Sequence, residues 1–184
     1  GTFLATQDKI ASRWSHEVRH EMLNKNYVEF HHKLAGIPYS SRQKFHATEL
    51  ERDWARKERA SMKTQGPVIL WSLAGSSVHK VWPHIDAVIA RMMLSYPDCR
   101  IVFVGDELCK IIEYPWENEK RVIPKSGIWS IRQSLSFIAE SDLVIGPETG
   151  VLNAAAMERT PKIITLSHSS VENLTRDWVN CISL

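Results

Sequence analysis

Two short stretches carry residues whose types and spacing suit an anionic ligand. The first is Gly146-Pro147-Glu148-Thr149-Gly150-Val151-Leu152-Asn153, which follows the apolar run Leu143-Val144-Ile145 and leads into Ala154, Ala155 and Ala156. Where an apolar strand ends and a helix begins, free backbone N–H groups and the helix dipole favour an anion such as a phosphate. The second is Gly75-Ser76-Ser77-Val78-His79-Lys80, after the apolar run Val68 to Leu73. Small residues there let backbone N–H groups and the Ser76 and Ser77 hydroxyls approach an oxyanion, and Lys80 sets a cation beside it. The Gly-x4-Gly-Lys spacing of a P-loop is absent, and an ordinary strand-to-helix connection with a surface lysine is the alternative. A third apolar run, Ile101 to Val104, ends at Gly105-Asp106-Glu107. Its carboxylates could meet ribose hydroxyls or simply start a helix.

A different chemistry is written at His16-Glu17-Val18-Arg19-His20, which satisfies H-E-x-x-H. On a helix, His16 and His20 share a face and could bind zinc, with Glu17 as general base of a metallopeptidase. Leu23 and Asn26 stand where the extended motif has Gly and His, and Arg19 puts a cation between the ligands. Glu49 is the one distant candidate for a third ligand, and an acid is expected there anyway, in the first turn of a helix. A solvated helix without metal is the reading adopted.

The elements that must position the two loops follow from periodicity. Asp8 to Asn24 and Thr48 to Lys63 read as amphipathic helices, the second opened by a Thr48/Glu51 capping box. Val68 to Leu73, Ile101 to Val104, Arg121 to Ile123, Leu143 to Ile145 and Ile163 to Leu166 read as strands. Helices alternate with them. One runs from Pro83 to Tyr96, with Ile85, Val88, Ile89, Met92 and Met93 on its core face. Leu108 to Ile112 is short, and Tyr114 to Lys120 is an exposed loop in which Trp116 could stack on a base or sugar, partly buried filler being the plainer reading. Ser130 to Glu140 presents Ile131, Leu135 and Ile138 to the core, and a last helix opens at Thr149-Gly150.

Fully apolar strands separated by helices predict an α/β fold, a doubly wound parallel sheet of five strands ordered 3-2-1-4-5. The switch point then falls between the strands ending at Leu73 and Ile145, so the loops at Gly75–Lys80 and Glu148–Asn153 are expected to face each other. Residues 1–65 are read as a helical extension or linker and residues 66–184 as a Rossmann-like domain.

Composition bounds these readings. With 184 residues the chain suits one α/β domain plus an extension. The apolar fraction of 43% and charged fraction of 24% are those of a globular protein, and no apolar run approaches a membrane span. A net charge of +2 gives no argument for nucleic acid. Cys99, Cys109 and Cys181 lack pairing or metal-ligand spacing, and a reducing, cytoplasmic setting is expected. The chain begins Gly1-Thr2-Phe3, which points to processing or to a piece of something longer.

Ala74-Gly75-Ser76-Ser77-x-x-Lys80-x-Trp82-Pro83, Gly105-Asp106, and Thr149-Gly150-x-x-Asn153-x-Ala155-Ala156 followed by Pro161 together resemble the heptosyltransferases, glycosyltransferases of the GT-B fold. The resemblance covers roughly residues 34 to 170, including the Trp-containing helix around Ala47 to Ala55, and matches the family's C-terminal, donor-binding domain. It implies a nucleotide diphosphate sugar as donor, with Gly75, Ser76, Ser77, Lys80, Gly105, Asp106, Glu148, Thr149, Gly150 and Asn153 around it and Lys80 stabilising the phosphates of the departing nucleotide diphosphate. It also implies a glycan or lipid-linked acceptor of the lipopolysaccharide type and no metal or other cofactor. The family's catalytic base lies in an acceptor-binding N-terminal half, so the base is unassigned here. That half would also bring any peripheral association with the inner face of the membrane. Two positions depart from the family pattern: Glu148 stands where it has Asp, and Asn153 where it has His. The departures point to the donor preference. The alternative to an enzyme is an interaction module that kept the fold and uses helices bearing Trp14 and Trp54 as its contact surface.

Overall fold

The computed structural model describes residues 13–40, 43–75 and 80–184, apart from the side chains of His20, Met22 and Leu23. The chain divides into two compact units, Gly1–Arg42 with His168–Trp178, and Gln43–Ser167 with Val179–Leu184.

In the first unit α1 spans His16–Leu23 and α2 spans Tyr27–Ala35. The predicted helix from Asp8 begins outside the described residues. The second helix is absent from the sequence reading, which places no helix between Asn24 and Thr48. Its start is fixed by buried Asn26, whose Oδ1 accepts from the N–H groups of Val28 and Glu29 at 3.0 and 3.1 Å. Arg176 ties this unit together, donating to Glu172 at 2.7 Å and to Glu29 at 3.0 Å. The neighbouring Asp177 accepts a hydrogen bond from the Tyr39 hydroxyl.

The second unit holds the sheet. Helix α3, Glu49–Ser61, opens with the expected capping box: Thr48 Oγ1 accepts from Glu51 N–H at 3.3 Å, and Glu51 accepts from Thr48 N–H at 2.8 Å. Composition groups this helix with the N-terminal extension, yet it packs along a helix of the sheet unit. Then come β1 (Val68–Ser72), α4 (Ile85–Ser95), β2 (Arg100–Val104), a 3-10 turn into α5 (Lys110–Glu113), β3 (Val122–Pro124) and α6 (Ile131–Phe137). The chain continues through β4 (Leu143–Pro147), α7 (Gly150–Ala155), β5 (Lys162–Thr165) and β6 (Cys181–Ser183).

All pairs are parallel, and the order is β3-β2-β1-β4-β5-β6. The order of the first five strands is the one expected. The sixth was missed because it is three residues long, lies at the edge and leaves Ile182 exposed, so it carries no apolar run. Strand β4 also continues through Gly146 and Pro147, which pair with Ile164 and Thr165, instead of stopping before them. Pro147, which lacks an N–H, is the last residue of the strand.

Alternation along β1 feeds both faces of the sheet. Ile69 and Trp71 join Ile85, Ile89 and Met93 of α4 in one buried cluster with Ile101 and Phe103 of β2. Val68 and Leu70, buried completely, point to the opposite face. The α4 stripe is as predicted, with Val88 and Met92 packed at its margin. The α6 stripe holds in part: Ile138 is buried as expected and Leu135 half-buried, but Ile131 is 61% exposed, and Ser134, Ser136 and Phe137 are buried instead. The small serines let α6 approach closely, and Ser134 and Ser136 satisfy their hydroxyls on the carbonyls of Ser130 and Arg132. Trp54 of α3, offered above as a contact surface, instead meets Trp129 edge-on, with ring centroids 5.0 Å apart. Trp116 is half-buried filler whose Nε1 donates to Asp86 at 2.7 Å.

Among the described residues no helix is long and apolar enough to cross a membrane.

Candidate functional site

The carboxyl ends of β1, β2, β3 and β4 open into one cleft of about 880 Å³. Its walls are the segments leaving those strands: Ala74 and Gly75 after β1, Gly105 to Glu107 after β2, Gly127 to Ser134 after β3, and Glu148 to Asn153 after β4. Doubly wound sheets bind ligands at this place, because the loops diverge where the strand order reverses. The volume is in the range of small-molecule sites.

On the β4 side, Thr149 is the N-cap of α7, its Oγ1 accepting from Leu152 N–H at 3.4 Å. The same hydroxyl lies 3.1 Å from Ser72 Oγ, so the end of β1 meets the start of α7 at the switch point. The first-turn N–H groups of Gly150 and Val151 have no carbonyl partner within the helix and stand at the cleft wall. Asn153 Nδ2 donates to Thr149 O at 3.0 Å, which turns its amide onto the turn itself.

Glu148 is 8% exposed at the cleft wall, and its Oε1 accepts from Ser167 N–H at 2.9 Å. Lys80 Nζ donates to the backbone carbonyl of Glu148 at 2.9 Å and lies 3.8 Å from its Oε2. Among the described residues the lining of the large cleft does not include Lys80. Its side chain borders a smaller cavity of about 130 Å³ with Trp82, Thr165 and Ser167.

On the β2 side, Asp106 Oδ1 accepts from the N–H groups of Leu108 and Cys109 at 3.0 and 3.2 Å. That is the helix-start role, held by a residue that also borders the cleft. Burial, with a smaller contribution from its hydrogen bond to Asp106, pushes the Cys109 thiol up to about 11. It is an inert core thiol, not a nucleophile.

Gly75, Gly105, Asp106, Glu148, Thr149, Gly150 and Asn153 thus share one cleft, with Lys80 directly behind Glu148. Ser76 and Ser77 lie outside the described residues. The wall after β3 was missed: Gly127, Ile128, Trp129, Ser130 and Gln133. The rule that singled out the ends of the other strands applies equally to Lys125-Ser126-Gly127, and Ser130 with Gln133 is a readable capping box. For the zinc alternative, His20 has no described side chain. Among the described residues no group of three His, Cys, Asp or Glu side chains is placed to hold a metal ion.

A parallel sheet in this order, with its cleft at the switch point, defines a doubly wound, Rossmann-like α/β domain. Comparison with solved structures narrows this to a heptosyltransferase-like glycosyltransferase fold. The family 9 glycosyl transferase from Veillonella parvula DSM 2008 superposes with a TM-score of 0.69 at 15% identity, over 87% of this chain and 49% of that one. The ADP-heptose lipopolysaccharide heptosyltransferase II of E. coli gives 0.63 at 17% identity, over 82% and 47%. The E. coli heptosyltransferase WaaC, in a structure with ADP, gives 0.54 at 16% identity, over 84% and 46%. The chain therefore spans about half the length of the structures it matches. No protein-family model matches it, and neither does any curated protein sequence.

Proposed function

We propose that this chain is the donor-binding half of a glycosyltransferase and takes a nucleotide diphosphate sugar in the cleft between β1, β2 and β4. The observation that carries the reading is the convergence of Gly75, Gly105, Glu148, Thr149 and Gly150 on one cleft at the switch point of a heptosyltransferase-like fold. In this reading the first-turn amides of Gly150 and Val151 meet the diphosphate, supported by the start of α7. Asp106 and Glu107 stand on the side where a ribose would lie.

The reaction is a displacement at the anomeric carbon with inversion. An acceptor hydroxyl oxygen forms the new bond to that carbon while its bond to the diphosphate oxygen breaks. The hydroxyl proton passes to a carboxylate of an acceptor-binding half, and the nucleoside diphosphate leaves with the bonding pair. Donors aimed at the departing diphosphate lower the barrier by stabilising charge that grows as the bond breaks. No metal is assigned a part, and the acceptor is a glycan or lipid-linked sugar.

Calorimetry with ADP- and UDP-sugars tests this. Saturable binding that free nucleoside diphosphate displaces supports it, and no binding of any nucleotide at millimolar concentration overturns it.

A further inference from the structure

Helix α5 places a carboxylate where its spacing calls for a core residue. Glu113, the last residue of α5, stands four positions after the buried Cys109 and is itself 6% exposed. Enclosing a charge there is costly unless it is hydrogen-bonded, and an aliphatic side chain would fill the place without that cost. The carboxylate has a partner in the loop after β3: its Oε1 accepts from the N–H of Ser126, a fully buried residue, at 3.0 Å.

The bond matters because of how that loop is held. Ile128 and Trp129 both donate to the carbonyl of Lys125, at 3.0 and 3.1 Å, so their N–H groups wind the turn on itself. The N–H groups of Ser126 and Gly127 instead reach other elements, the first bonding to Glu113 and the second to the Gly105 carbonyl after β2, at 3.0 Å. The Ser126 hydroxyl is enclosed without a partner among the described residues and adds no tie of its own. From Gly127 to Ser130 the same loop forms a wall of the cleft, whose lining does not include Glu113.

From this geometry we infer that Glu113 is a positioning residue: its carboxylate latches the loop after β3 to α5 and so fixes the Gly127–Ser130 wall from outside the cleft. A backbone N–H bonded to a carboxylate is held about twice as strongly as one bonded to a neutral acceptor. A wall set in place before a ligand arrives also avoids an ordering cost on binding.

The part the wall plays in binding rests on the donor-site reading above, but the latch is measurable without nucleotide. In Glu113→Met, amide hydrogen exchange at Ser126 and Gly127 is expected to be about tenfold faster, the loss of one charge-assisted hydrogen bond, while the amides of β1 keep their protection. Glu113→Gln keeps an acceptor at the same reach and should retain most of the protection. Glu113→Asp keeps the charge but draws the carboxylate back by one methylene, and should not. Unchanged protection at Ser126 and Gly127 in Glu113→Met overturns the latch, and so does an equal speeding of the β1 amides, which marks a general loss of stability. Should Glu113→Met fail to fold, the other two variants decide, and Glu113→Asp protected as well as Glu113→Gln overturns the latch.

Calorimetry with an ADP-sugar then shows whether the wall bears on the ligand. Affinity should fall about tenfold in Glu113→Met and Glu113→Asp and be restored in Glu113→Gln. Lost protection with unaltered affinity removes Glu113 from the positioning of the site. If the unaltered chain binds no nucleotide, the donor-site reading alone is retired, and the exchange measurement still decides the latch.

Discussion

Ser72 Oγ and Thr149 Oγ1, 77 residues apart in sequence, lie 3.1 Å apart across the seam between β1 and β4. The contact joins the end of a buried strand to the cap of the helix that opens the cleft. Thr149 therefore has two tasks, holding the first turn of α7 and bridging the switch point. Thr149→Ala removes both and is expected to lower stability by about 1 kcal/mol, the usual worth of an N-cap, and to weaken nucleotide-sugar binding. Thr149→Ser should restore both. Urea denaturation and calorimetry on the two variants check this, and a Thr149→Ala protein with unaltered stability and affinity would remove the assignment.

Gly127, in the wall that the sequence reading missed, has φ of +65°, and a Cβ there would sit 2.5 Å from the Glu107 carboxylate. Gly127→Ala thus carries left-handed backbone strain of roughly 1–2 kcal/mol. It also pushes Glu107 away from Lys110, its ion-pair partner at 2.7 Å. Chemical denaturation should show a loss of about that size, and calorimetry a weaker donor complex if Glu107 borders the ribose. Full retention of stability would mean that the turn has another conformation.

Acid sensitivity has an identifiable source outside the cleft. Hydrogen bonds from the Arg121 guanidinium and then from its backbone N–H hold the Glu119 carboxyl down to about 2, from an ordinary 4.5. Arg132 first, and then the Thr48 N–H, do the same for Glu51, to about 2. A carboxylate depressed in the folded state adds stability that is complete above its unfolded pKa and is lost as pH falls through the folded one. Melting temperature should accordingly drop between about pH 4.5 and pH 2. In Glu119→Gln the drop should be shallower, with a lower plateau at neutral pH. An unchanged slope in that variant would show that Glu119 contributes nothing.

Much of the fold was legible because its signals are local. The apolar runs at Val68, Ile101 and Leu143, broken by glycine, proline and capping residues, announce buried parallel strands, and the Thr48/Glu51 box announces a helix. What failed was what locality cannot carry. Ile131 looked like core by spacing but is solvent-exposed, since the face that α6 buries is chosen by the sheet and by Phe137, not by the helix alone. Helix α2 was hidden because its cap, Asn26, is an ordinary residue until its partners at Val28 and Glu29 are seen.

The same division runs through the site. Sequence by itself determined that glycine-rich turns follow buried strands at Gly75, Gly105 and Thr149-Gly150, because backbone sterics and strand burial are properties of neighbouring residues. It also supplied the strand order that brings two of those turns together. Only the tertiary structure decided that Lys80 donates to the Glu148 carbonyl, and that the loop after β3 forms a wall of the cleft. Those outcomes depend on which loops the sheet brings together, residues as far apart as Lys80 and Glu148, and that packing geometry is encoded by no local pattern.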